Sequence, residues 1–152
     1  MVLYRITKCN YATDLSGTGA RLYGGRWNSE GKAAIYLASS RSLALLEVLV
    51  HLPPLMIPDG YCLVEIEVPD QSIINISFEQ LPDNWKDVTG PVALKYIGDE
   101  FLKDQQYLLM KMPSSIVPME HNYLLNPQHS AMKKVKVLKS APFDFDSRLS
   151  PP

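Results

Sequence analysis

Residues 21–51 read R-L-Y-G-G-R-W-N-S-E-G-K-A-A-I-Y-L-A-S-S-R-S-L-A-L-L-E-V-L-V-H, and the order of their physical character decides the fold. Gly24-Gly25-Arg26-Trp27-Asn28 is a loop in which two permissive residues precede an arginine, an aromatic and an amide. Ala33–Leu37 is a short apolar run that reads as a buried strand, and Ser39 or Ser40 then serves as N-cap to a strongly apolar helix. That helix ends before Pro53, because proline cannot continue it.

Glu47 is the anomaly within the helix. The residues three and four positions away are Leu43, Ala44, Val50 and His51, and three of these four are apolar. A carboxylate among apolar neighbours costs free energy unless it is paired, and Arg21 and Arg26 in the preceding loop are the obvious cations. The alternative places Glu47 on the exposed strip of an amphipathic helix, but the wheel offers no polar strip for it to join.

Working outward, Val2–Ile6 is a short strand that sets Arg5 near one end of a sheet, and Thr13–Ala20 is rich in turn formers. Residues 61–68 alternate, with Cys62, Val64, Ile66 and Val68 on one face and Glu65 and Glu67 on the other. Ile73–Ile76 extends that sheet, and Leu81–Trp85 is a turn. Residues 92–102 have helical spacing, with Val92, Ala93, Tyr96, Ile97 and Phe101 or Leu102 directed inward. Tyr107–Met112 is a further strand, stopped at Pro113. Glu120–Pro127 lacks both periodicities and reads as a polar loop. Lys133–Lys139 alternates lysine and valine like an edge strand, and the tail 141–152 wraps the surface.

The totals fit one domain spanning 1–152: 46% hydrophobic and 20% charged residues are ordinary globular values. A net charge of -1 gives no general attraction to a phosphate backbone, so direct nucleic-acid binding is not expected. Cys9 and Cys62 are too few for a disulfide framework and lack zinc spacing, so both read as structural thiols of a reducing cytosol. No signal-peptide core or membrane span stands out, which predicts a soluble cytoplasmic protein. The three histidines form no metal pattern, and no nucleophile elbow, P-loop or dinucleotide fingerprint is present.

Tyr4-Arg5-Ile6, Gly24–Asn28, Ile35-Tyr36, Leu46–His51, Leu81–Trp85, Pro113-Ser114 and Asn122–Pro127, in that order, resemble the RES domain family over nearly the whole chain. The resemblance implies an α+β fold like that of ADP-ribosyltransferases, a mixed, bent β-sheet core with a few flanking helices. It also implies a toxin of a bacterial type II toxin-antitoxin system that degrades NAD, with NAD as substrate and no cofactor or metal. The expected partner is an Xre-like helix-turn-helix antitoxin that alone would contact DNA, in a complex with room for a toxin homodimer.

Carried over by motif, Glu47, Arg26, Tyr36 and Ser114 are the expected catalytic residues, and Arg5, Arg26, Tyr36, Ser114 and Asn126 the expected NAD-binding ones. Ser115 stands beside Ser114 as an alternative hydroxyl. The cleft is expected between the glycine loop and the Glu47 helix, with Arg5 and Arg26 on the pyrophosphate and Glu47 at the scissile bond. Two other readings use the same residues: a mono-ADP-ribosyltransferase acting on a cell protein, and a non-catalytic nucleotide-binding module in which Glu47 pairs with an arginine.

Overall fold

The computed structural model describes residues 1–53 and 59–149. Strands β1 (Val2–Lys8), β2 (Ile35–Ala38), β3 (Tyr61–Glu67), β4 (Ile73–Asn75), β5 (Leu109–Pro113), β6 (His121–Leu125) and β7 (Lys136–Phe143) form one sheet in the order β4-β5-β6-β2-β1-β3-β7. Only β4 and β5 pair in parallel; the other neighbours are antiparallel. Helices α1 (Thr18–Tyr23), α2 (Arg41–Leu49) and α3 (Val92–Asp104) flank it. This is the mixed sheet with few helices that the sequence predicts, joined as one sheet through a narrow waist: β1 and β2 share the single registered pair Tyr4 and Ala38.

Register assigns the two faces. Tyr4 lies opposite Ala38, Ala38 opposite Asn122, Tyr36 opposite Leu124, and Asn122 and Leu124 opposite Met112 and Met110, so all of these share one face. On that face Leu43 and Ala44 of α2 pack against Ile6 and Ala38, while Leu94 and Leu102 of α3 pack with Trp27, Met110, Met112 and Leu124. The opposite face carries Leu3, Ile35, Leu37, Val64, Tyr123 and Leu125 in a second core.

Four expectations are corrected. Residues 121–125 are an inner strand of the sheet, because Tyr123, Leu124 and Leu125 are buried on both faces and such a strand shows a continuous apolar run without alternation. Helix α3 buries Leu94, Gly98, Phe101 and Leu102, leaving Val92 and Tyr96 exposed. Gly98 sets that face: a Cβ there would collide with the Trp27 carbonyl, so the helix seats its glycine on the loop backbone. Cys9 and Cys62 are joined in a disulfide rather than standing as separate thiols, since Thr7 pairs with Cys62 across β1 and β3 and brings Cys9 within reach. The cysteine argument for a reducing compartment therefore falls. Finally, residues 141–143 belong to β7, an edge strand with exposed Lys136 and Lys139, while Phe145 of the tail is buried. Residues 150–152 of that tail lie outside the described residues. No helix among the described residues is long and apolar enough to cross a membrane.

Candidate active site

The glycine loop is tied by buried amide chemistry. Asn28 is fully buried and donates through Nδ2 to the carbonyls of Ala20 (2.9 Å), Ser29 (3.2 Å) and Lys32 (3.0 Å). Its Oδ1 accepts from the Tyr36 hydroxyl at 2.7 Å, and that hydroxyl accepts the Trp27 N–H at 3.0 Å. A Cβ on Gly25 would fall 2.5 Å from the Tyr36 oxygen, so the turn needs glycine for close approach. Trp27 is core, as its type predicts. Burial pushes the Tyr36 phenol well above its usual range, so it remains a neutral donor.

Tyr36→Phe leaves the Trp27 N–H and the Asn28 oxygen without their partner. We expect a loss of about 1–3 kcal/mol, the cost of unsatisfied buried groups, measurable as a lower urea midpoint. An unchanged midpoint would show that the hydroxyl does not hold the loop.

Ser40 settles the N-cap, its Oγ accepting from the Leu43 N–H at 3.1 Å, and it also donates to Glu120 Oε2 at 3.2 Å. Glu47 is half-buried two turns further on. Its Oε1 accepts from Ser114 Oγ at 3.0 Å and from Asn122 Nδ2. Ser114, fully buried at the end of β5, also accepts from the N–H groups of Ile116 and Val117, each at 3.1 Å. One donor and two acceptor positions are thereby filled, the full capacity of a hydroxyl. Of the two neighbouring hydroxyls it is that of Ser114 that bonds Glu47. Among the described residues no protein donor reaches Glu47 Oε2.

The predicted site residues separate into groups. Tyr36, Glu47 and Ser114 stand on one face of the sheet, and Tyr36 is one strand step from Ala38, the neighbour of Asn122, at a diagonal separation of roughly 7 Å. Arg26 is linked to them through its loop. Its Nη1 donates to the carbonyls of Trp85 and Asp87, both at 3.0 Å, so it ties the 85–88 segment and is not paired with Glu47. Arg5 is on the opposite face, with Val64 as its pairing partner. Its Nη2 donates to the carbonyls of Tyr11, Ala12 and Asp14 at 2.7–3.1 Å, and its buried Nε has no partner among the described residues. Burial lowers its pKa from the ordinary arginine value, against the opposing pull of Asp14. Glu47 is therefore oriented by neutral donors and not by the arginines expected.

Asn126 has a fold-holding position: fully buried, it donates to the Leu102 carbonyl at 3.0 Å and accepts from the Gln128 N–H at 3.0 Å. Asn122 is not among the site residues expected from the sequence, although it opens the same Asn122–Pro127 motif. The usable signal was an amide at the head of an apolar strand, facing the side on which Met110, Met112 and Leu124 are buried.

A surface concavity of about 370 Å3 is lined by Asn75, Phe78, Lys111, Pro113 and His121, among others. It does not contain the Glu47 cluster: Lys111 and Pro113 alternate along β5 with Met112 and Ser114 and so face the other way. No group of three or more metal-ligating side chains occurs among the described residues.

The fold has a counterpart among solved structures. A solved structure, the MbcT-MbcA toxin-antitoxin complex of M. tuberculosis, superposes with a TM-score of 0.79 at 22% identity, covering 94% of this chain and 84% of that one. A family model described as RES domain matches residues 2–146. Two curated relatives are each 42% identical: "Toxin Res" of Yersinia enterocolitica over 151 residues, covering 98% of this chain and 99% of that protein, and "Prs ADP-ribosylating toxin" of Sphingobium sp. over 142 residues, covering 91% and 88%. "Toxin Res" of Pseudomonas putida is 40% identical over 154 residues, covering 98% and 99%. The chain belongs to the RES domain family and stands among its toxins.

Proposed function

We propose that this chain is the toxin of a bacterial toxin-antitoxin pair that degrades cytoplasmic NAD by cleaving the bond between nicotinamide and ribose. The observation that carries the reading is the Glu47 carboxylate, fixed through Oε1 by Ser114 and Asn122 so that Oε2 remains for a substrate. When the C1–nitrogen bond breaks, its electron pair stays on the pyridine nitrogen and nicotinamide leaves neutral, so no general acid is required. The difficulty is the cationic ribose. A carboxylate at C1 and the 2-hydroxyl stabilises that oxocarbenium-like state, as in glycoside hydrolysis, before water or phosphate adds to C1.

Tyr36, whose hydroxyl is occupied, offers its ring as a surface for nicotinamide or ribose. Arg26 has N–H groups beyond those held by the 85–88 carbonyls, and Arg5 is a half-buried cation without a salt-bridge partner among the described residues. Arg26 suits a pyrophosphate from the Tyr36 side, whereas Arg5 lies on the far face of the sheet from Glu47.

The partner is an Xre-like antitoxin. The structural relative from M. tuberculosis is a toxin-antitoxin complex, and apolar side chains are exposed on the elements that frame Glu47: Leu46 (37%), Val50 (57%) and Met119 (83%). A partner seated there covers apolar surface and obstructs the site together.

Incubating the pure chain with NAD, with and without inorganic phosphate, and measuring free nicotinamide tests the reaction. Release is expected, with ADP-ribose as co-product for hydrolysis or its 1-phosphate for phosphorolysis; no release under either condition overturns it. A second reading, transfer of ADP-ribose to a cell protein, draws support from the 42% identical relative named an ADP-ribosylating toxin. A protein adduct of ADP-ribose in mass spectra of toxin-expressing cells would favour it.

A further inference from the structure

We infer that the concavity on the far face of the sheet from Glu47 is a second binding site, for a nucleoside monophosphate. Its phosphoryl group is held by Lys111, His121 and Asn75, and its base lies on the Phe78 ring. The inference goes beyond the NAD reading and does not depend on it. Three neighbouring strands build the wall. Asn75 of β4 is in register with Lys111 of β5, and Pro113 of β5 with His121 of β6. The amide, the ammonium and the imidazole therefore stand on one face, each a strand spacing or one diagonal step from the next.

Charge and shape together select the ligand. Lys111 and His121 are half-buried, and burial together with the Lys111 charge holds the imidazole below its ordinary range. The ion pairs among the described residues join Arg41 to Glu65, Lys103 to Glu100 and Arg148 to Asp146, so neither group has an acid on it. Two such groups in one recess repel each other when both are charged, and an anion between them reverses the sign of the interaction. A phosphoryl group accepts from all three donor types, with the charge assistance of Lys111. At about 370 Å3 the concavity falls in the range of small-molecule sites and is larger than a bare phosphate needs. Phe78 supplies a flat apolar wall, 47% exposed and backed by Trp85 with ring centroids 5.8 Å apart. The carboxylate in the lining, Glu79, is exposed and forms no ion pair with Lys111, which leaves it as an acceptor for ribose hydroxyls.

The test is calorimetry with AMP, adenosine and inorganic phosphate on the wild-type chain and on Lys111→Gln, run beside nicotinamide release from NAD. Thermal melting shows that the variant folds; should it melt lower, His121→Gln carries the same comparison. We expect the wild type to bind AMP, and to bind adenosine or phosphate alone about tenfold more weakly or worse. Lys111→Gln should lose about 10- to 100-fold in AMP affinity, the worth of one charged contact, with nicotinamide release unchanged. AMP affinity that survives the substitution would put the nucleotide elsewhere, the Glu47 cleft included, and overturn the inference. So would phosphate binding as tightly as AMP, no binding of AMP at all, or a parallel fall in nicotinamide release. A wild-type chain that binds AMP through Lys111 but releases no nicotinamide would instead overturn the NAD reading and leave this site standing.

Discussion

Glu47→Gln is expected to lower nicotinamide release by about 10²–10³-fold or more, while the melting temperature changes little. Glutamine is nearly isosteric, and its Oε1 can still accept from Ser114 Oγ and Asn122 Nδ2, so the two neighbours keep their partner. The atom that changes is the one facing the substrate. An NH2 group there can neither accept a hydroxyl proton nor offset positive charge at C1, so the loss falls on the transition state and appears in kcat more than in KM. Glu47→Ala is a poorer probe, because it strands two donors and mixes stability with chemistry. Glutamine turnover within tenfold of wild type would refute the carboxylate's role. A large loss with KM unchanged would fit it, and would separate Glu47 from a binding residue.

The amide cluster explains why part of the site could be read from sequence and part could not. Glu47 stood out because a charge in an apolar helix is conspicuous by itself, and the strand carrying Cys62, Val64 and Ile66 was visible through strict alternation. What orients Glu47 was not visible, because its partners come from residues 114 and 122 and meet it only through sheet register. Charge complementarity pointed instead to Arg21 and Arg26, but Arg21 is exposed on helix α1, backbone carbonyls satisfy part of the Arg26 guanidinium, and strand alternation turns Arg5, the third arginine expected at the site, to the other face. Asn126 and Asn122 occur in one motif with the same side chain. Only the structure distinguishes the amide enclosed against Leu102 from the amide with an oxygen left over. The β6 strand escaped for a different reason, since a strand buried on both faces has no period to detect. The cysteine pair escaped because 53 residues of separation carry no local signal.

The site also depends on how α3 meets the glycine loop, and Gly98→Ala should reveal it. A methyl group at position 98 would be driven into the Trp27 carbonyl and against the Trp27 Cβ at 3.2 Å. The obstacle is backbone rather than the tip of a flexible side chain, so helix and loop must separate. Overpacking of this kind costs about 1–3 kcal/mol, or about 2–12 °C in Tm for a domain of this size, despite alanine's better helix propensity. The displaced segment is Arg26-Trp27-Asn28, held in place by the Tyr36 hydroxyl and anchored to α3 by the Ser29 N–H on Asp99 at 2.9 Å. A second consequence is therefore expected: weaker nucleotide binding in the fraction that stays folded, read by calorimetry with ADP-ribose below the lowered Tm. Gly19→Ala is the matched control. No atom lies within 4 Å of a Cβ there and the residue is helical, so alanine should be neutral or stabilising by up to about 1 kcal/mol. Equal Tm values for the two variants would show that the close contact between α3 and the loop is not what fixes this side of the site.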